Sequence, residues 1–348
     1  MLYRITIPNF RNSAGRRLDI EMTYQLFGRP LQEAPIVLIN HSLTGNSNVA
    51  GEQGWWNPVV GAGKPIDTEK FSVIAFDMPG NGYGGPAVEV WEHYEEFTLK
   101  DLAKLQYEAL KRLYINELFA IVGGSIGGAL AWELAILKPD ITQHLIPIAT
   151  DYKTTDWVLA QCKVQDQILR NSASPVADAR MHAMTFYRNP TSFSQKFSRA
   201  RNPQDGDFEV QRWLTHHGRQ LEHRFECAAY KLMNHLLTTV DITGGKGDYA
   251  IVASKIQSEI HFVTINSDWF FLADENWDAY VDLSLLKKEV SIHEIKSLHG
   301  HDAFLIEYRQ LNRILKPIFK HKQNSYENHQ YHTLRSGEGW KHLDPANT

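Results

Sequence analysis

The stretch IVGGSIGGALAWELA, beginning at Ile121, constrains the fold more than any other part of the 348-residue chain. An apolar run ends in two glycines, presents one serine, and restarts after two more glycines. Four glycines in six positions weaken the interior of a helix or a strand, because glycine has the most backbone freedom to lose. The sequence therefore predicts a tight strand-to-helix turn at Gly123-x-Ser125-x-Gly127. In such an elbow the serine takes a strained backbone and small neighbours let strand and helix pack closely. Its hydroxyl then projects above the sheet, near the positive end of the following helix.

The flanking sequence supplies the sheet. Short continuous apolar runs recur as IVLIN from Ile36, SVIAF from Ser72, LFAIV from Leu118 and LIPIA from Leu145. Runs without alternation suit strands covered on both faces. Between them LKDLAKLQYEALKRL, from Leu99, places Leu102, Leu105, Tyr107, Leu110 and Leu113 near helical spacing. Strand–helix alternation indicates an α/β fold with a mostly parallel central sheet. From 151 to 245 the pattern is helical, as in DWVLAQCKVQDQIL and AAYKLMNHLLTTV, which reads as a helical cap inserted into the sheet domain. The α/β pattern resumes with IHFVTI from Ile260 and EVSIHEI from Glu289. The expected organisation is a core over 1–150, a cap over 151–245, the second part of the core over 246–320, and a polar tail over 321–348.

Composition removes several functions. With a net charge of −4 and no dense basic stripe, neither nucleic acid nor an anionic membrane is an expected partner. No apolar run approaches the ~20 residues of a membrane span, and the N-terminus lacks the pattern of a signal peptide. Cys162 and Cys227 have no C-x-x-C partner, in keeping with a reducing compartment, so a cytoplasmic location is expected. The histidines of the tail lack metal-ligand spacing, and no metal is expected.

A serine hydroxyl needs a base to become nucleophilic. After the last strand, EVSIHEIKSLHGHDAFLIE offers three histidines. His293 falls inside the strand pattern, while His299 and His301 compete across Gly300. His301 is preferred because it precedes DAFLIE, where a loop turning into a helix holds an imidazole over the serine. The acid candidate is Asp268, three residues past the preceding strand. Its rival Asp274 lies further along, on the next helix. The order Ser125…Asp268…His301 is that of the α/β-hydrolase fold. For an oxyanion hole, the backbone N–H of Ile126 pairs with that of Leu43 in the loop of IVLINHSLTGNSN, with Thr44 as alternate.

With these residues assembled, the chain resembles the homoserine O-acetyltransferase family of α/β hydrolases over most of residues 1–320. NHSLTGNSNVAG resembles that family's H-x-L-T-G stretch, and GWWNPVVGAGKPIDTEKFSVI its G-W-W and K-x-x-D-T segment. GGSIGG is close to G-G-S-M-G-G, and SLHGHDAFLIE to the G-H-D-A-F-L ending. The resemblance implies ping-pong transfer of an acetyl group from acetyl-CoA through acyl-Ser125 to homoserine, a step of methionine biosynthesis. It also implies no tightly bound cofactor, and a homodimer is carried over from the family. By the same resemblance Arg224 in HRFECAAY holds the substrate carboxylate, Tyr230 lies in the same pocket, and Asp302 meets the ammonium group. The chain departs from the family at FDMPGNGYGG from Phe76, at Ile126 where methionine is usual, and in RFECAAY, which lacks the polar residues the family often places before the tyrosine. Those departures leave two alternatives: an ester or thioester hydrolase, or a serine or homoserine O-succinyltransferase.

Overall fold

The computed structural model describes residues 1–320; the segment 321–348, read from sequence as a polar tail, lies outside the described residues. In chain order the strands are β1 (Leu2–Arg11), β2 (Arg17–Gly28), β3 (Ile36–Asn40), β4 (Val60–Gly61), β5 (Ile66–Asp67), β6 (Ser72–Phe76), β7 (Leu118–Gly124), β8 (Thr142–Ile148), β9 (Glu259–Ile265) and β10 (Val290–Ile295). The helices are α1 (Val88–Glu92), α2 (Leu99–Arg112), α3 (Ile126–Leu137), α4 (Asp156–Asn171), α5 (Pro175–Tyr187) and α6 (Pro190–Phe197). They continue with α7 (Glu209–Glu222), α8 (Cys227–Thr238), α9 (Tyr249–Ala253), α10 (Ala273–Ser284) and α11 (Tyr308–Lys320).

Eight strands form one sheet in the order β1-β2-β6-β3-β7-β8-β9-β10. Pairing is parallel from β6 through β3, β7, β8 and β9 to β10. Every residue of β3, β6 and β7 is buried, which explains their unbroken apolar runs. The first two strands pair antiparallel with each other, and β2 pairs antiparallel with β6. They escape the continuous-apolar criterion because their outer faces are exposed, so buried and exposed residues intermingle along them.

Helix α2 starts where expected, on a capping box between Thr98 and Asp101. Leu102, Leu105 and Leu110 are buried in the core, whereas Tyr107 and Leu113 pack at its margin. Asp101 also accepts the Ser13 N–H at 3.1 Å and the Ser13 hydroxyl at 2.7 Å, which fastens the β1–β2 turn to the helix. Between β8 and β9 the chain is helical, as expected, with isolated bridges joining Lys153 to Asp241 and Arg201 to Phe208. Cys162 and Cys227 are both free. Among the described residues no helix is long and apolar enough to cross a membrane.

Helix α3 carries an ionisable group in the core. Glu133 is 3% exposed. Burial pushes its carboxyl up to about 7, against the charges of Lys100 and Lys104 and a backbone hydrogen bond from Asp241. The folded chain thus binds this proton more tightly than the unfolded one, so stability falls as pH rises from about 4.5 to 7. Glu133→Gln removes that loss. Urea unfolding is expected to show a gain of about 3 kcal/mol above pH 7 and little change below pH 4.5.

Candidate active site

The elbow is built as the glycines require. Ser125 sits at φ 59° and ψ −130°, a region that side chains other than glycine avoid. A Cβ on Gly123 would lie 2.1 Å from the Gly127 carbonyl oxygen, so only glycine lets β7 and α3 approach this closely. The strained residue is held by its N–H, which donates to the Ile148 carbonyl at 2.9 Å. Its own carbonyl accepts from the Gly128 N–H at 2.8 Å.

His301 arrives from a 3-10 turn, Gly300–Leu305, that follows β10. Its Nε2 lies 2.9 Å from Ser125 Oγ, and its Nδ1 lies 2.7 Å from Asp268 Oδ2. Asp268 Oδ1 accepts the N–H groups of Phe270 at 2.7 Å and Phe271 at 3.0 Å. All three side chains are buried. Hydroxyl, imidazole and carboxylate thus stand in a hydrogen-bonded series, a geometry in which a ring can draw a proton from a serine while a carboxylate orients it. Gly300 decides which histidine points inward. It has a φ of 65°, and a Cβ there would meet the Tyr187 carbonyl oxygen at 2.6 Å. His299 turns the other way and accepts from Arg188 Nη1 at 3.0 Å. His293 remains on β10, and Asp274 stands in the first turn of α10.

The loop after β3 lies against the elbow. The Gly127 carbonyl accepts from Asn40 Nδ2 at 3.3 Å, and a Cβ on Gly127 would meet the Asn40 carbonyl oxygen at 2.5 Å. Leu43 follows in that loop, and Ile126 opens α3, where the first N–H groups have no intrahelical acceptor. A buried polar network holds the loop in place. Asp77 accepts from the Ser47 N–H and hydroxyl, each at 2.8 Å, from Thr23 Oγ1 at 2.7 Å and from Asn81 Nδ2 at 3.1 Å. His41 donates through Nδ1 to the Ser42 carbonyl at 2.7 Å and accepts the Met78 N–H at 3.0 Å. Burial pushes its pKa down, opposed by the charge of Asp77, which suits the neutral ring this pairing needs. The tryptophan pair supplies two further ties. Trp55 Nε1 donates to the Asn46 carbonyl at 2.8 Å, and Trp56 Nε1 to the Phe304 carbonyl at 3.4 Å.

The helical block meets this site directly. Arg224 Nη1 donates to the Thr44 carbonyl at 2.9 Å, next to Leu43. Asp302 adjoins His301 in the chain, but its carboxylate is paired with Arg188 at 3.3 Å. Tyr230 is fully buried in α8, edge-on to Phe225, and burial pushes its hydroxyl up to about 12. Several neighbours have no local sequence signal. Tyr187, at the end of α5, packs its ring 5.4 Å from that of His301. Phe270, Phe271 and Phe304 complete an aromatic wall at 5.4–5.7 Å. Arg180 lies over the Tyr187 ring and adds a second positive charge near Arg224. Asp151, just past β8, places a second carboxyl beside Asp268. Burial, with the charges of Asp268 and Glu275, pushes its pKa well up, while Asn276 donates to it at 2.5 Å. Its place after a strand in IPIATDY matches that of Asp268 after β9, a signal available in the sequence.

The fold and the site together define an α/β hydrolase: the model of the alpha/beta hydrolase fold family matches residues 35–299. Among curated relatives, homoserine O-acetyltransferase from Salinibacter ruber is 31% identical over 90% of this chain and 96% of its own. The Nautilia profundicola homoserine O-acetyltransferase is 29% identical over 91% of this chain and 97% of its own. The chain belongs to the homoserine O-acetyltransferase family. Similar folds occur in the solved structures of esterase E22, with a TM-score of 0.82 at 15% identity, and of homoserine O-acetyltransferase from Bacillus anthracis, with 0.81 at 18%. Each covers 92% of this chain, and the chain covers 100% and 98% of theirs.

A hydroxyl so placed is expected to react with a fluorophosphonate. Peptide mass spectrometry is expected to find one label per chain, on Ser125, absent from Ser125→Ala. Asp268→Ala is expected to slow labelling by about three orders of magnitude. Equal labelling of another serine would contradict the assignment.

Proposed function

We propose that the chain transfers an acetyl group from acetyl-CoA to the hydroxyl of homoserine, in two half-reactions through acyl-Ser125, as a step of methionine biosynthesis. The observation that carries the reading is the Arg224 guanidinium bonded to the Thr44 carbonyl, in the loop that also holds Leu43. A plain esterase has no use for a cation there, whereas a planar fork suits the two oxygens of an amino-acid carboxylate. Family membership supports the same acceptor.

In the first half-reaction Ser125 Oγ attacks the thioester carbonyl and its proton passes to His301 Nε2. The Leu43 and Ile126 N–H groups stabilise the oxyanion, and Asp268 steadies the imidazolium. Collapse expels the thiol of CoA, which takes that proton. In the second, the homoserine hydroxyl gives its proton to His301 and attacks the acyl carbonyl. Collapse returns the proton to Ser125 Oγ and releases the ester. Arg224 binds the acceptor carboxylate, and Asp302, steadied by Arg188, receives the ammonium group. Tyr230 shapes the wall of the same pocket. The helices between β8 and β9 act as a cap that limits water at the acyl-enzyme. A cytoplasmic site of action fits the two free cysteines.

Thiol release from acetyl-CoA or succinyl-CoA, measured with homoserine, with serine and without acceptor, tests the reading. Release is expected only with acetyl-CoA and homoserine together. Release without any acceptor would instead identify a thioester hydrolase. Arg224→Ala is expected to raise the KM for homoserine by about 10- to 100-fold, the loss of a charged hydrogen bond. Ser125→Ala is expected to lower kcat by about 10⁴-fold or more.

A further inference from the structure

A second cluster of polar side chains lies at the other end of the sheet. His144 is the third residue of β8, and Glu259 and His261 are the first and third of β9. His144 is in register with Glu259, and His261 with Ser291 on β10. The two-residue repeat of a strand puts Glu259 and His261 on one face. That face borders a cleft of about 610 Å³ whose far side is Arg313, Ile314, Pro317 and Ile318 of α11.

The three side chains aim their ligand atoms at one another. His144 Nδ1 is 3.2 Å from His261 Nε2 and 3.7 Å from Glu259 Oε2, and His261 Nε2 is 3.9 Å from that same oxygen. A tetrahedral ion ~2.1 Å from each ligand spaces the ligand atoms ~3.4 Å apart, so this triangle is one face of such a site. Among the described residues it is the one group of three or more such side chains whose ligand atoms converge this closely. The second nitrogen of His261, Nδ1, lies 2.9 Å from Ser291 Oγ. Metal-bound imidazoles are commonly fixed in this way, with the ring proton on the outer nitrogen and the lone pair on the inner one. Both imidazoles are largely buried, while Glu259 reaches solvent at the cleft mouth.

The geometry points to a zinc site formed by His144 Nδ1, His261 Nε2 and a Glu259 carboxylate oxygen, with water in the fourth position. Two imidazoles and one carboxylate suit zinc among the first-row divalent ions. The ion joins β8 to β9 where the strands begin. Ser125 is tied to Ile148, four residues further along β8, which is ~13 Å away by the rise of a strand. The ion therefore takes no part in acyl transfer, and the inference stands apart from the proposed reaction.

The test uses the full chain without an affinity tag, stripped with a chelator and dialysed against zinc chloride at micromolar free ion. One zinc per chain is expected, together with a melting temperature that rises with zinc concentration. Cobalt in its place is expected to give the visible bands of a tetrahedral site. His261→Gln and His144→Gln should each lose the stoichiometric ion while retaining fluorophosphonate labelling at Ser125, which reports an intact fold. Ser291→Ala is expected to weaken binding about tenfold. No stoichiometric zinc in the parent chain would overturn the assignment. So would undiminished binding in both histidine variants, because the ion would then lie elsewhere.

Discussion

Close approach of β7 to α3, with no side chain between Gly123 and Gly127, is the constraint on which the site depends. It places Ser125 in a backbone conformation that costs about 1–3 kcal/mol and persists only because its surroundings over-determine it. Three features follow from this close approach. The hydroxyl stands clear of the sheet toward His301, at 2.9 Å. The Ile126 N–H begins a helix with no internal acceptor. The backbone of Asn40 and His41 is pressed against Gly127, which brings the Leu43 loop alongside.

Burial makes the surrounding electrostatics selective. Asp268 and Asp151 are both buried carboxyls near His301, but their environments differ. Asp268 receives two backbone N–H groups and faces the imidazole ring, whereas Asp151 has one amide donor and two carboxylates bearing on it. A carboxylate is favoured where donors converge and disfavoured where like charges do. Asp268 is thus placed as the partner of the imidazole, while burial and the neighbouring charges raise the pKa of Asp151. The same logic governs His41, a buried ring kept neutral while pinning the loop that carries Leu43.

Much of this was legible in the letters, for physical reasons that vary by residue. Ser125 is marked by its own glycines, since the strain and the close packing are local. Asp268 and His301 are placed by chain order, because each parallel strand delivers its following loop to the same edge of the sheet. Arg180, Tyr187 and Arg188 are not legible in this way. A helix pattern fixes which residues share a face, but not what that face meets once the chain has folded back. The pairing of Asp302 with Arg188 is set by that folding back and carries no local signal. The cluster of His144, Glu259 and His261 is harder still. Glu259 and His261 are neighbours on β9, but His144 lies more than a hundred residues earlier and joins them only through the register of β8 and β9, so no local motif announces the three together.

The aromatic wall around His301 bears on how water meets the base. Tyr187, Phe270, Phe271 and Phe304 surround the base with rings. Rings of this kind offer water few hydrogen-bonding partners beside the imidazole. The dryness around the imidazole is thus set by four side chains from three separate segments of the chain, while the hydroxyl, ring and carboxylate stay where they are.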